Sequence, residues 1–212
     1  ARAVTEKHDP FPTARAHRET LLLLALILEF QGEWETAYQY AREGIARGET
    51  LESPFVIAVG KMRLGHAALL MDTQSGFMEA LEAYSETIRL ADHLSVPRLK
   101  CEAFWGLTRA YGFKGELDLA EKAAVQGIEQ GRLAGDEWIS ALILVSMGAS
   151  FALAEKYQEA FNWLEHARDK FNKVSDSYGE TVARLWQCLM WWISGQTLRL
   201  DKNLDDLLKM IH

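Results

Sequence analysis

Apolar residues return along this chain at the three- and four-residue intervals of a helix, in paired stretches set apart by short polar turns. The pattern is plainest from Phe104 to Ile128. There Phe104, Leu107, Thr108 and Tyr111 share one helical face, Leu117, Ala120, Ala124 and Ile128 share another, and Gly115 stands between them. A glycine between two amphipathic stretches of equal character predicts an αα-hairpin in which each helix hides its stripe against the other. One such hairpin is too small to be stable alone, so partners must come from elsewhere in the chain.

They come from repetition. Ala80, Ala120 and Ala160 are forty residues apart, and Ala37 lies forty-three before Ala80. A large apolar or aromatic residue precedes each alanine by three positions (Trp34, Phe77, Leu117, Tyr157), and Ala41, Tyr84, Ala124 and Leu164 follow by four. Leu24, Ala67, Leu107 and Met147 stand upstream. Small residues where helix axes cross let backbones approach while larger neighbours fill the grooves beside them.

The predicted elements follow in order. Residues 1–12 hold Pro10 and Pro12 without periodicity and read as an N-terminal arm or the remnant of a preceding segment, and residues 13–212 read as one helical-repeat domain. The start without methionine suggests a piece of a longer or processed chain. Helices are expected from Thr13 to Gln31, Glu33 to Arg47, Pro54 to Met71, Phe77 to His93, Pro97 to Phe113, Glu116 to Glu129, Asp136 to Leu153 and Tyr157 to Asn172. Ser53 and Asp136 are the expected caps, Asp72–Gly76 a polar turn, and GRLAGD after Gln130 a crossing segment in which the Gly127, Gly131 and Gly135 spacing reflects a turn. A last long helix leads to Gly195, after which Leu204, Leu207, Leu208 and Ile211 give the face of a variant closing helix, a cap or a junction.

The stretches ALILEFQGEWETAYQYAREGI, LGHAALLMDTQSGFMEALEAYSETI, FWGLTRAYGFKGELDLAEKAAVQGI and MGASFALAEKYQEAFNWLEHA resemble the tetratricopeptide superfamily. They are similar in particular to the long-repeat helical domain of large bacterial transcriptional regulators of the maltose-regulon-activator type. The turn glycine is kept as Gly32 and Gly115, displaced to Gly76, and replaced by Glu155, and the closing proline is missing from Thr50, Asp92, Arg132 and Asn172. The resemblance implies an all-α fold, a right-handed superhelical solenoid of about five helical hairpins whose first helices line a concave groove. Carried over position by position, it places Glu19, Leu22, Leu26 and Glu29 in that groove, then Met62, Gly65, Leu69 and Asp72, then Glu102, Trp105, Arg109 and Phe113, then Leu142, Val145 and Ala149, and last Val182, Leu185, Leu189 and Trp192.

Composition narrows the function. Of 212 residues 49% are apolar, enough for a sizeable core, and the net charge of −7 speaks against a phosphate-tracking surface. Cys101 and Cys188 lie far apart, without metal or redox spacing, and read as buried thiols. The strongest apolar run, from Leu21 to Phe30, is too short to span a bilayer, and the expected setting is cytoplasmic. The six histidines are scattered, no glycine-rich phosphate loop follows a strand, and no serine is organised with histidine and acid. The expectation is therefore a chain that is not an enzyme and needs no cofactor.

One pair stands out. Trp105 and Arg109, one helical turn apart, join a large aromatic to a guanidinium, able to cover an apolar face and to bond carboxylate or carbonyl oxygens. Arg63 and His66 on the preceding first helix extend the patch, and Glu102 and Phe113 flank it. The packing alternative is that Trp105 and His66 serve the interior, as Tyr111 and Trp34 do. The leading expectation is a non-catalytic module that senses a small-molecule effector or protein within a bacterial transcriptional regulator, with flanking domains, no direct nucleic-acid contact and no membrane. The alternatives are a scaffold holding a peptide or helix in the groove and, remotely, an enzyme.

Overall fold

Nine described residues adopt positive φ, and they mark where the helices stop. They stand at Gly32, Glu52, Asp72, Ser95, Gly115, Gly135, Glu155, Ser175 and Gly195, twenty residues apart except for twenty-three between Asp72 and Ser95. A left-handed residue cannot continue a right-handed helix, so each one reverses the chain. Glycine adopts this conformation freely. The other five residues are not glycine and adopt it with φ between 48° and 61°.

The computed structural model describes residues 22–29, 31–196, 198–201, 203, 204 and 208. Helical residues 22–29 form α1. Then come α2 (Trp34–Thr50), α3 (Pro54–Leu70), α4 (Gln74–Leu94), α5 (Pro97–Phe113), α6 (Leu117–Ala134), α7 (Glu137–Leu153), α8 (Tyr157–Lys173) and α9 (Ser177–Ile193). Residues 198–201, 203, 204 and 208 are helical as well, and no strand occurs among the described residues. The arm over residues 1–12, the helix start at Thr13, the groove position Glu19, and Leu207 and Ile211 lie outside the described residues.

Several helix ends differ from expectation, each for a local reason. Gln74, Ser75 and Gly76 are the first turn of α4, not a loop, because the Thr73 hydroxyl accepts the Gly76 N–H at 2.9 Å and starts the helix there. The turn residue is thus Asp72 in place of Gly76, and the forty-three-residue first period is one extra helical turn. Helix α6 runs to Ala134, through buried Gly127 and Gly131, and only Gly135 ends it. Helix α2 continues to Thr50. Ser53 stands at the start of α3 but makes no side-chain cap bond, whereas Asp136 caps α7 as expected, accepting from Ile139 N at 3.1 Å.

The chain divides into two compact units, 1–106 and 107–212, with the boundary inside α5. In the first, α2 packs on α3 and α3 on α4. Ala25, Ala41, Ile45, Leu64 and Ala83 form one apolar cluster, and Ala58, Met62, Ala91 and Leu99 form another that brings in the start of α5. In the second, α6 packs on α7, α7 on α8, and α8 on α9. Cys188 and Trp191 close against Phe161 and Leu200.

The repeat alanines Ala37, Ala80, Ala120 and Ala160 are fully enclosed, as their spacing required. Both cysteines are buried and unbridged. The fold is all-α, built of consecutive helical pairs.

Candidate functional site

Among the predicted residues the structure brings His66 and Trp105 together most clearly. The register explains the meeting. Counted back from the left-handed turn residue, Trp105 stands where Met62, Val145 and Leu185 stand, and Arg109 where His66, Ala149 and Leu189 stand. The forty-residue period puts Gly65 and Leu69 in these places, but the extra turn of α4 makes this one interval forty-three. With Asp72 as the turn, His66 becomes the counterpart of Arg109.

His66 is only 3% exposed. Trp105 meets its ring edge-on at 5.2 Å between centroids and 85° between planes, and Tyr84 does so at 5.5 Å and 62°. Its Nδ1 lies 3.9 Å from Glu29 Oε2 on α1, near enough for electrostatic influence and too far for a hydrogen bond. Tyr84 is fixed in turn by two glycines. A Cβ at Gly65 would stand 2.7 Å from its Cε1, and one at Gly106 would run into the ring. Helices α1, α3, α4 and α5 thus meet at this point of the first unit, and the Trp105 ring, itself half-buried, rests on a fixed support.

Arg63, one turn before His66 on α3, is half-buried. The Glu102 carboxylate accepts a hydrogen bond from Arg98 Nη2 at 3.2 Å. Arg109 and Phe113 belong to the second unit. The guanidinium carbon of Arg109 lies 5.7 Å from the Phe113 ring centre, and Phe113 is 55% exposed. An aromatic face backed by imidazole, with a cation and a paired acid on the same helices, suits a ligand with an apolar body and polar edges.

Sequence reasoning missed the role of Tyr84, which sits at the register of Ala41, Ala124 and Leu164. The signal was an aromatic in a mostly small column together with glycines inside α3 and α5. It also missed a second cleft, of about 420 Å³, between α2, α3 and α4, lined by Tyr38, Arg42, Glu49, Lys61, Glu79 and Glu82. There the Tyr38 hydroxyl donates to Glu79 Oε1 at 2.6 Å. Burial and the Glu79 carboxylate raise the pKa of this phenol above its ordinary value.

Among the described residues no group of three or more His, Cys, Asp or Glu side chains could hold a metal ion, and no helix is long and apolar enough to cross a membrane.

No family model and no curated protein matches the chain. Solved structures do. BtubC (BKLC) from P. vanneervenii is 16% identical with a TM-score of 0.72, over 99% of this chain and 85% of that one. A Rap protein complexed with Competence and Sporulation Factor is 11% identical with a TM-score of 0.81, over 97% of this chain and 56% of that one, so this chain spans about half of its length. Nearly identical TPR-like repeats of a kinesin-light-chain-type protein from Podosopora anserina give 16% and 0.66, over 96% and 97%. The likeness establishes the fold, that of TPR-like helical repeats.

Proposed function

We propose that this chain is a non-catalytic recognition module, taking an effector or a protein segment on the face of its first helices, within a bacterial transcriptional regulator that works in the cytoplasm. The observation that carries the reading is the Trp105 ring, half-buried and held edge-on by a buried His66. A ring fixed before binding loses little freedom when a ligand covers it, so more of the apolar contact is kept as affinity. Trp105 supplies contact area, Arg63 orients a carboxylate or carbonyl, and Glu102 with Arg98 borders the patch. Arg109 and Phe113 provide a separate contact point on the second unit. The regulator assignment rests on the sequence resemblance.

A peptide is the alternative occupant, favoured by one specific observation: the Rap protein of the same fold is complexed with Competence and Sporulation Factor. The test is a thermal-shift screen of metabolites and short peptides, followed by calorimetry on the hits. A hit is expected to bind Trp105→Phe more weakly than the parent, and Arg63→Ala more weakly still if it carries a carboxylate, at unchanged helicity. A ligand whose affinity ignores both substitutions binds elsewhere, and the site assignment would then be wrong.

A further inference from the structure

One position on the first helices departs from its own column. Counted back from the left-handed turn residue, Lys61 in α3 stands where Phe104, Leu144 and Arg184 stand in the following hairpins. Phe104 and Leu144 are enclosed, at 9% and 4% exposed, and Arg184 is tied one turn back to Glu180 at 2.8 Å. Lys61 follows neither course. Ile57 and Gly65 stand one turn away on either side of it, and Glu86 of α4, on which its charge acts, is already held by Arg89 at 2.7 Å. A half-buried ammonium thus occupies a register that an enclosed apolar side chain takes in the next two hairpins.

At this point the cleft of about 420 Å³ lies between α2, α3 and α4. Buried Ile45, Leu64 and Ala83 give it an apolar floor, and Lys61 stands beside them. Its walls carry opposite charges. Arg42 of α2 and Glu82 of α4 share one register on successive second helices, and both are exposed. The guanidinium carbon of Arg42 lies 5.9 Å from the Tyr38 ring centre, and the Tyr38 hydroxyl donates to Glu79 Oε1. Glu79 is therefore engaged within the wall, while Glu49 and Glu82 bring further carboxylates to the cleft.

We propose that this cleft binds a free α-amino acid with an aliphatic side chain. Lys61 and Arg42 take its carboxylate, Glu82 and Glu49 take its ammonium, and its side chain lies on Ile45, Leu64 and Ala83. Cations and carboxylates over one apolar floor suit a zwitterion, because a plain anion or cation would meet charges of its own sign there. The cleft shares no residue with the Trp105 patch, and the proposal stands whether or not that patch binds an effector.

Calorimetric titration of the full chain with L-leucine, leucinamide and isocaproate tests it, since the second lacks the carboxylate and the third the ammonium. L-leucine is expected to bind saturably, and each analogue about tenfold more weakly or worse, because each leaves charged groups of the cleft without a partner. Lys61→Met, which returns an apolar side chain to this register, should weaken L-leucine binding about tenfold or more. Glu82→Gln should weaken L-leucine and leave isocaproate no weaker. Arg42→Gln, at an exposed position, should lower L-leucine affinity with an unchanged circular dichroism spectrum, and it carries the test if Lys61→Met alters the fold. No saturable binding of L-leucine up to about 10 mM would overturn the proposal. So would analogues that bind as tightly as the amino acid, or an L-leucine affinity indifferent to the substitutions.

Discussion

Single residues carry the turn chemistry, and two of them offer a reciprocal test. Glu155 holds φ of 61° where Gly115 holds 74° at the same point of the preceding hairpin, and nothing lies within 4 Å of a Cβ added at Gly115. Conformation, free of steric contact, is therefore what separates the two positions. Glu155→Gly should stabilise the fold by about 1 kcal/mol and Gly115→Ala should weaken it by a similar amount, read as shifts in urea midpoint. Tyr38 gives a pH-dependent counterpart. Burial, then its hydrogen bond to Glu79, raises its folded pKa above the unfolded value of about 10, so the neutral phenol favours the native state. That contribution is fully present below about pH 10 and is lost as pH rises through the folded pKa. Tyr38→Phe should therefore flatten the alkaline fall in stability, and denaturation curves from about pH 9 to about pH 11 that decline equally for both proteins would refute the assignment.

At the scale of helices, the small-residue crossings decide how tightly the pairs close. Ala120 is fully enclosed in α6, so Ala120→Leu forces in three more carbons where no space exists and should cost roughly 1–3 kcal/mol. An unchanged urea midpoint would place Ala120 outside the crossing. This column of alanines was legible from sequence because a close crossing tolerates few residue types, and four alanines in register repeat the constraint. The extra turn at the start of α4 was not legible. Gly76 looks like a turn residue until the Thr73 hydroxyl is seen holding its N–H, and Asp72 takes the left-handed position that glycine takes elsewhere. Those three added residues make the interval from His66 to Arg109 forty-three, so a forty-residue period points to Leu69 and hides His66 as the counterpart of Arg109. The Trp105–His66 contact was partly legible, since both residues were candidates, but its depth depends on Tyr84 between Gly65 and Gly106, which lie on three successive helices.

For the molecule as a whole, charge sets what the surface can meet. Thirty acidic residues against twenty-three basic ones leave a net charge of −7. The cations are further neutralised in place. Arg89 is bonded to Glu86, Arg132 to Glu129 and Arg184 to Glu180 along single helices, while Lys100 reaches Asp92 and Lys170 reaches Glu137 across helix boundaries. Binding a phosphate backbone would require breaking such pairs and bringing an acidic surface up to a polyanion, and the counterion release that drives nonspecific DNA binding needs clustered, available Lys and Arg. The chain should therefore leave duplex DNA unretarded even at low salt, where electrostatic attraction is strongest. If DNA reading belongs to a regulator containing this module, the contacts would come from another part of it. Fluorescence anisotropy of a labelled duplex titrated with the chain at about 20 mM salt is the measurement, because attraction that exists at all is largest there. A saturable rise that falls as salt is added would mean that a basic face forms despite these ion pairs, and the recognition reading centred on Trp105 would have to share the surface with nucleic acid.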